Sequence, residues 1–449
     1  MLSRRRQSRC RAGHVTTSET AVASVRASSP PASCAAGASS APIAHDNRVA
    51  ADAAPSSPRP RGAAQVGWLA LTVFLAGIAE NICTGILPAL SAGLGVSTAS
   101  AGQLTTVFSA VFALWAFVMA AWLSRFERRR ALLAAIAIFS ASNLAAAGAP
   151  GYAALFAARI AMAASCATIV LLCSRLAAEI TPPDYHGRAV GMIFMGISAS
   201  LVLGVPLGMT LEHWAGWRSV FAAIGLASAP LVFVLWRVLP ARTPPAALTL
   251  RAYVRALCQP RRLAAQGVTI AMLGGHFTLF AYLAPYLQSV VAPSAGEMSL
   301  WFLAFGVAGV GGAWLGGWAA DRAGPMRSLR GCPALFLAAM ACVPLAAMGV
   351  GAAAGALPVL LLLAAMMVWG SLSWSISPVV QNHLIRVAPH DADANVGVNV
   401  AAMHVGVALG AGVGGALVGA GALALTPWVG CALVALAVGL AWSATRERP

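Results

Sequence analysis

The sequence predicts an all-α membrane protein with twelve transmembrane helices arranged as two six-helix repeats. The first observation is composition: 59% of the 449 residues are apolar and 9% are charged, which is too hydrophobic for a soluble protein of this size. The second is a series of apolar runs long enough to cross a hydrocarbon core of roughly 30 Å as helices. The third is that basic residues gather in alternate breaks between these runs, as they do in multi-pass membrane proteins.

The chain begins with a polar segment, residues 1–62, which is rich in Ala, Ser, Arg and Pro and has three acids, Glu19, Asp46 and Asp52. A segment of this composition buries too little apolar surface to fold, so we expect a disordered cytosolic tail. An organellar transit peptide or a start codon assigned too far upstream would explain the same composition. The use of Arg to the exclusion of Lys suggests a GC-rich bacterial genome and favours the second explanation.

The apolar runs divide the rest of the chain into two halves of six, residues 63–239 and 263–449, joined by a cytosolic linker at 240–262. The linker is the longest polar break and contains five arginines. The runs cover residues 66–90, 100–123, 131–149, 152–178, 188–210, 218–239, 263–289, 298–320, 330–350, 355–378, 394–419 and 425–443.

The arginines predict the orientation of the helices. The net charge of +16 could indicate a nucleic-acid partner, but its distribution follows the loops and argues against one. Nine arginines lie in residues 1–62, and a single one, Arg218, lies in a predicted outer loop. Since cytosolic loops of membrane proteins carry the excess of Arg, we expect both termini in the cytosol. The other arginines on that side are Arg125, Arg128, Arg129, Arg130, Arg188, Arg237, Arg242, Arg251, Arg255, Arg261, Arg262, Arg322, Arg327, Arg330, Arg386, Arg446 and Arg448.

The two halves share landmarks at a constant distance. Pro88 and Pro285, near the ends of the first and seventh runs, are 197 residues apart, and so are Ser124 and Asp321 after the second and eighth runs. Glycines also crowd the fifth and eleventh runs. Repeated halves of similar hydropathy are typical of transporters whose site lies between the halves.

Several other classes are unsupported by the sequence. The nine cysteines are odd in number and scattered, so we expect neither a disulfide framework nor a metal site, and no cofactor. No run carries a cluster such as HExxH, so we expect no catalytic residues and no enzyme.

Glu80 is the first candidate functional residue, because it lies near the middle of the first apolar run. A charged side chain at that depth costs on the order of 3 kcal/mol on insertion scales, so it should face a protein interior and usually marks an ion or substrate path. A carboxyl there can bind and release a proton as its access to water changes. The alternative is a structural carboxylate paired with Arg159 of the fourth run.

The segment Gly317-Trp-Ala-Ala-Asp321-Arg322-Ala-Gly324-Pro-Met-Arg327 resembles the loop signature of the major facilitator superfamily. Within that superfamily, residues 66–443 are similar to the twelve-helix proton-coupled drug and sugar exporters of the arabinose-efflux-permease type. The resemblance implies gating and helix packing roles for Gly317, Asp321, Arg322 and Gly324. The first half has Ser124 where the family usually has Asp, but keeps Arg125. A positive-inside loop would explain the arginines alone, though not the glycines and the aspartate.

The fifth run reads GRAVGMIFMGISASLVLGVPLG from Gly187 to Gly208, which resembles the signature of exporters in this superfamily. It implies that Gly196, Gly204, Pro206 and Gly208 govern helix packing and conformational exchange. Small residues allow close helix approach, and proline removes a backbone hydrogen bond and bends a helix. Ordinary small-residue packing is the alternative.

Further resemblances indicate residues of a substrate cavity. The segment GIAENICTGILP places Glu80 where the family has its helix-one acid, followed by Asn81, and LFAARIAMAASCA places Arg159 at the family's helix-four arginine. Tyr282 belongs to the helix-seven pattern FxxxxYLAPxL. In the arginine segment, Ala163, Cys166 and Ala167 replace residues that are often Gly, His and Gly.

Three more cavity candidates are polar residues of the second half. Asn399 and His404 lie in NVAAMHVGVALG, where the family usually has Asn at the second of these positions. His276 is another intramembrane group that can take a proton near neutral pH. A lone membrane histidine is more often a packing residue, which is the alternative for both imidazoles.

The resemblance thus implies a secondary active transporter of a bacterial inner membrane that exports a small organic molecule in exchange for protons by alternating access. A proton-independent facilitator and a non-transporting sensor are the alternatives. The expected partners are the substrate, protons and the lipid bilayer, with no nucleic acid, and the protein is expected to be a monomer. Sugars, nucleosides and amphipathic antibiotics remain open as substrates.

Overall fold

A computed structural model describes residues 62–122, 127–182, 185–240, 259–352, 355–388 and 391–445. Within those ranges the regular structure is helical, with no strand. Three predicted features lie outside the described residues: residues 1–61 of the tail, the loop that carries Ser124 and Arg125, and residues 241–258 of the linker.

Twelve helices in the described part of the chain are long and apolar enough to cross a membrane, as the sequence predicted. The first six are α1 (Ala63–Gly85), α2 (Thr98–Trp122), α3 (Arg128–Ala147), α4 (Tyr152–Glu179), α5 (His186–Ala199, continued through a π-helical turn, Ser200–Gly204, into Val205–Ala215) and α6 (Trp217–Val238). The others are α7 (Pro260–Phe280), α8 (Ala295–Arg322), α9 (Pro325–Ala352), α10 (Ala356–Val387), α11 (Ala392–Gly419) and α12 (Thr426–Ala444).

Because twelve helices alternate in direction, the start of α1, the connection between α6 and α7 and the end of α12 lie on one side of the bundle. We call this the linker side and the opposite one the far side. The first helix of the second half begins earlier than predicted, since α7 starts at Pro260 inside the expected linker. Proline suits the first turn of a helix, where its missing N–H leaves no bond unmade.

The sequence predicts the first and the seventh apolar runs as continuous segments. In the structure, each of these runs is broken near its far-side end. A short helix, Leu87–Leu94, follows α1, and another, Leu283–Val290, follows α7. Pro88 and Pro285 lie in the first turns of these short helices. A proline ring clashes with the carbonyl four residues earlier in a continuous helix, which explains why a new helix starts just before each proline. The break is a shared feature of the two halves.

Glycines of α5 bring it against α1. A Cβ on Gly196 would lie 2.5 Å from the carbonyl oxygen of Ala70, and Cβ atoms on Gly204 and Gly208 would collide with the side chains of Ile78 and Ile82. Contacts of this kind are the main source of helix association in lipid, where apolar side chains gain little from leaving the membrane.

The same packing recurs between α11 and α7 in the second half. A Cβ on Gly406 would lie 2.7 Å from Ile270 O, and one on Gly414 would lie 2.5 Å from Thr278 O; Gly410 meets the backbone of Gly274. Thus α5 packs on α1, and α11 packs on α7, through the same kind of contact, in which glycines allow close approach.

The π-helical turn Ser200–Gly204 lies directly ahead of Pro206. In a regular helix the ring of Pro206 would press on the carbonyl of Val202 and leave it without a donor. A π-helical turn widens the helix locally and accommodates both effects. A Cβ on Gly306 of α8 would lie 2.8 Å from Val202 Cα, so this turn is also where α5 touches the other half.

We predict that Gly196→Ala lowers the stability of the protein while Gly191→Ala, in the same helix, does not. The added methyl at Gly196 meets backbone of α1, which cannot rotate away, whereas nothing lies within 4 Å of a Cβ at Gly191. Overpacking of this kind costs about 1–3 kcal/mol. The measurement is the apparent melting temperature of the purified protein in detergent. Equal melting temperatures for the two variants would contradict the close α1–α5 contact.

Candidate functional site

The two halves meet on the far side along α2 and α11. The Cβ atoms of Ala99 and a substituted Gly419 would be 3.5 Å apart, and a Cβ on Gly415 would lie 2.8 Å from Gln103 Nε2. These contacts run from the ends of both helices toward the middle of the bundle. The far side is therefore closed between the halves.

Tyr282 completes this closure. It follows the break after α7, is fully buried, and donates its hydroxyl to Ala411 O at 3.1 Å. A Cβ on Gly102 of α2 would collide with the tyrosine ring, and one on Gly415 would lie 2.6 Å from its hydroxyl oxygen. The structure thus places this predicted cavity residue between α2 and α11, at the far-side contact of the halves.

Glu80 and His404 face each other at mid-depth across the two halves. Glu80 Oε1 of α1 lies 3.8 Å from His404 Nδ1 of α11, with 26% and 9% of the two side chains exposed. The imidazole stacks on Phe112 of α2, with ring centroids 3.6 Å apart and an interplanar angle of 22°. The sequence identifies both residues as candidates. That they face each other follows only from the placement of α1 and α11 in the structure.

Arg159 binds the backbone of the first half rather than the carboxylate of Glu80. Its side chain is fully buried, and Nη1 donates to Ala79 O at 2.5 Å, with longer bonds from Nη2 to Glu80 O and from Nε to Leu104 O, both 3.4 Å. The guanidinium also lies 4.2 Å from the centre of the Phe108 ring. Carbonyl oxygens and an aromatic face together compensate a buried cation. The residue therefore joins α4 to α1 and α2.

Asn81 turns back on its own helix. The side chain is buried, and Nδ2 donates to Gly77 O at 3.1 Å, one turn earlier in α1. In this conformation its amide satisfies a carbonyl of α1.

His276 lies inside the second half, among aromatic rings. Its ring centroid is 4.8 Å from that of Trp369, 4.9 Å from that of Phe280 and 5.1 Å from that of Phe277. The side chain is 1% exposed, and neither ring nitrogen has a hydrogen-bond partner among the described residues. Its surroundings differ from those of His404, which faces a carboxylate.

Asn399 forms a polar cluster within the second half. It is fully buried, and Nδ2 donates to Gln266 Oε1 and Thr269 Oγ1 of α7, both at 2.9 Å. Gln381 Nε2 of α10 approaches Asn399 Oδ1 at 3.5 Å. The sequence analysis missed Gln266 and Thr269, although a polar residue in an apolar run signals a buried partner.

The predicted gating residues Asp321 and Arg322 lie at the linker-side end of α8. Asp321 accepts a hydrogen bond from Asn382 Nδ2 of α10 at 3.2 Å, and its carboxylate is 4.0 Å from the Arg386 guanidinium. The guanidinium of Arg322 lies 5.0 Å from the centre of the Trp318 ring. In this conformation the aspartate contacts α10 of its own half.

The two glycines of the same motif differ from each other. Gly324 follows the C-cap residue of α8, Ala323, and has φ of +82°, a conformation that L side chains rarely adopt. Gly317 faces open space, whereas its neighbour Gly316 packs on α10, where a Cβ would lie 2.6 Å from Ser375 O. Of these two neighbouring glycines, Gly316 is therefore the one at the contact of α8 with α10, which Gly312 also forms against Ser371.

Glu80 and His404 bring a carboxyl and an imidazole together at mid-depth. Both are side chains that can take and release protons. In the described ranges, no three His, Cys, Asp or Glu side chains are grouped to hold a metal ion.

Comparison with known proteins identifies the family. The sequence profile of the Major Facilitator Superfamily matches residues 69–411. The chain is 33% identical to the uncharacterized MFS-type transporter YbcL of Bacillus subtilis (strain 168), over 82% of this chain and 93% of the relative. It is 31% identical to the inner membrane transport protein YdhP of Escherichia coli (strain K12), over 85% and 96%.

Two further comparisons agree with this. The chain is 29% identical to the chloramphenicol efflux pump Rv0191 of Mycobacterium tuberculosis (strain ATCC 25618 / H37Rv), over 80% of this chain and 86% of the relative. Its fold resembles that of a bacterial homologue of the human lysosomal transporter Spinster, with a TM-score of 0.70, 16% identity and coverage of 88% and 100%. With twelve helices long and apolar enough to cross a membrane among its described residues, and a profile match over most of its length, the chain belongs to the Major Facilitator Superfamily.

Proposed function

We propose that this protein exports a small organic molecule across the inner membrane of a bacterium in exchange for protons. The single observation that carries the proposal is the carboxylate of Glu80, held at mid-depth where the halves meet and opposite His404. An ionisable group in that position is costly, and transporters use such groups as ion or proton sites. Similarity to a relative named as a chloramphenicol efflux pump supports export of drug-like molecules, with sugars and nucleosides as further candidate substrates.

The proposed mechanism alternates access between the two sides. The halves touch on the far side through Tyr282, Gly102 and the α2–α11 contact. Glu80 lies nearer the linker side than this closure and keeps a quarter of its side chain exposed. A proton released from Glu80 in this state would leave toward the linker side, and rocking of the halves would open the opposite path.

The gating motif fits the same cycle. Asp321 and Arg322 would exchange their present partners for groups of the first half when the linker side closes. The glycines of α5 and the π-helical turn beside Pro206 would let α5 shift between α1 and α8. The protein would act as a monomer in the lipid bilayer, with the linker side in the cytosol.

We predict that Glu80→Gln abolishes proton-driven efflux but leaves passive exchange of substrate intact. Glutamine keeps the shape of the side chain and some hydrogen bonding but cannot release a proton. The measurement is substrate accumulation in proteoliposomes under an imposed pH difference, followed by exchange of labelled for unlabelled substrate without one. Candidate substrates are chosen beforehand by a screen in cells that lack their main exporters.

The matched control for this experiment is Glu212→Gln, which removes a carboxylate near the far-side end of α5, away from the contact with His404. It should retain proton-driven efflux. If Glu80→Gln concentrates substrate at the wild-type rate, Glu80 is not the proton site. If the wild-type protein moves substrate only down its gradient, the protein is a proton-independent facilitator.

We also predict that the linker side is cytosolic. Single cysteines at Ser57, Ala246 and Ser294 are introduced into a variant without native cysteines and treated with a membrane-impermeant thiol reagent on intact cells. Ser294 is exposed on the far side and should be labelled, while the other two should react after the cells are lysed. Labelling in the reverse pattern would overturn the orientation deduced from the arginines.

A further inference from the structure

We propose that the linker-side groove between α3 and α6 binds the headgroup of an anionic phospholipid, with Arg129 and Arg237 as its cationic groups and Trp236 between them. These residues lie at the ends of two helices of the first half, away from Glu80 and from the contact between the halves. The inference requires that the helices span a bilayer, but it does not depend on the exchange of protons for a substrate.

The end of α6 presents aromatic rings on the outside of the bundle. Phe233 and Trp236, in the last two turns of this helix, are 57% and 51% exposed. In a bilayer such rings meet lipid near the headgroups, where tryptophan is enriched. The guanidinium of Arg237 lies 4.8 Å from the centre of the Phe233 ring and 5.3 Å from that of the Trp236 ring. A cation is therefore held beside rings that face the lipid.

Arg129 reaches the same tryptophan from the first turn of α3. Its Nη2 donates to the backbone oxygen of Trp236. That oxygen has no partner in its own helix, because the residue four positions later is Pro240, which has no N–H. A cation also suits this end of a helix, where the dipole leaves partial negative charge. Nε of Arg129 is buried without a hydrogen-bond partner among the described residues, so the guanidinium keeps an unused donor.

The charges around the groove leave it positive. Two ion pairs at this end of the first half use other arginines, Arg128 with Glu179 and Arg130 with Glu127. Within the described ranges, neither Arg129 nor Arg237 forms an ion pair. The segments that enter α3 and leave α6, residues 123–126 and 241–258, contain four arginines and no acid. The groove is therefore complementary in charge to a phosphate group.

The second half contains the same arrangement with one arginine fewer. Arg330 of α9 donates from Nη2 to Thr445 O, directly after α12, at 2.9 Å, and its guanidinium lies 4.7 Å from the centre of the Trp442 ring. Trp442 is 52% exposed. One arginine there bonds the carbonyl and stacks on the ring, whereas the first half divides these roles between Arg129 and Arg237. The second cation is not needed to join the helices, and a bound phosphate explains its presence.

The groove suits a phospholipid better than a free anion. Arginine matches the oxygens of a phosphate with two parallel N–H groups, and the exposed rings of Phe233 and Trp236 offer an apolar surface to the acyl chains of the same molecule. A soluble anion would gain nothing from these rings. Basic pockets between transmembrane helices on the cytoplasmic side bind acidic headgroups in this way, and the linker side is the one expected in the cytosol.

The test measures lipid binding directly. The full-length protein is delipidated in a neutral detergent and titrated with phosphatidylglycerol or with phosphatidylcholine that has the same acyl chains. Native mass spectrometry then gives the dissociation constant of the first bound lipid and the oligomeric state. We expect phosphatidylglycerol to bind more tightly by a factor on the order of ten, and a large excess of soluble glycerol phosphate should not displace it.

Arg237→Gln should weaken binding of phosphatidylglycerol about fivefold, the effect of one arginine near an anionic surface, and leave binding of phosphatidylcholine unchanged. Arg237→Lys keeps the charge and should retain most of the preference. The matched control is Arg322→Gln, which also removes a guanidinium beside an exposed tryptophan, Trp318, on the linker side. That helix end carries the carboxylate of Asp321 as well, so the control should keep the wild-type preference.

A second measurement needs no variant. Phosphatidylglycerol with a photoreactive group at the start of one acyl chain is cross-linked to the wild-type protein, and the modified peptides are identified by mass spectrometry. Most of the cross-links should fall in the first two turns of α3 and the last two turns of α6. The result is independent of transport, because no step of either measurement uses a substrate.

Three results would overturn the inference. The first is equal affinity of the wild-type protein for the two lipids. The second is an equal loss in Arg237→Gln and Arg322→Gln, which would indicate a general effect of charge. The third is a set of cross-links spread evenly over the linker-side ends of the helices. Displacement by glycerol phosphate would assign the groove to a free anion instead, and a wild-type dimer that Arg237→Gln separates would assign it to a second copy of the chain.

Discussion

Burial of charge in an apolar medium is the constraint on which the central part of this structure depends. Arg159 is fully buried and Glu80 is largely buried beside it, so each charge needs compensation from the protein. Arg159 obtains it from carbonyl oxygens of α1 and α2 and from the face of Phe108. Since these partners are backbone atoms and a ring, the arginine is a permanent part of the first half.

Glu80 is compensated differently. Its carboxylate faces the imidazole of His404 on the opposite half, and a carboxyl in an apolar site can bind and release a proton. Arg262 and Asp391, by contrast, form an ion pair within one half. Under the proposed function, a titratable carboxyl between the halves would let the balance between conformations depend on a proton. The contrast between Arg159 and Glu80 thus separates a structural charge from one suited to coupling.

Close helix packing supplies the rigidity that such coupling needs. Glycines of α5 and α11 bring these helices against the backbones of α1 and α7, so α1 with its carboxylate and α11 with its imidazole are each fixed within a half. The contacts between halves include the α2–α11 surface, the packing of α8 on the π-helical turn and on the Val205–Ala215 segment of α5, and the approach of Glu80 to His404.

The sequence alone determined the fold class, because apolar runs long enough to span a bilayer have few stable alternatives to transmembrane helices. It also determined the repeat, through prolines and glycines whose spacing recurs in both halves, and it nominated Glu80, since an acid in an apolar run is rare. It did not determine partners. Arg159 was weighed as the counter-charge of Glu80 from chemistry alone, yet it bonds the backbone oxygen of that residue.

Only the tertiary structure decided that His404 faces Glu80, that His276 lies among aromatic rings, and that Tyr282 joins the far-side contact. These three residues are alike in sequence terms, as single polar groups in apolar helices. Their environments differ because the rotation of each helix about its axis, and the neighbour that it meets, are set by contacts between residues that lie far apart in the chain, as in the pairs His276–Trp369, Tyr282–Ala411 and Glu80–His404. Hydropathy predicts the position of a residue along the membrane normal, but the direction in which its side chain points is set by helix packing.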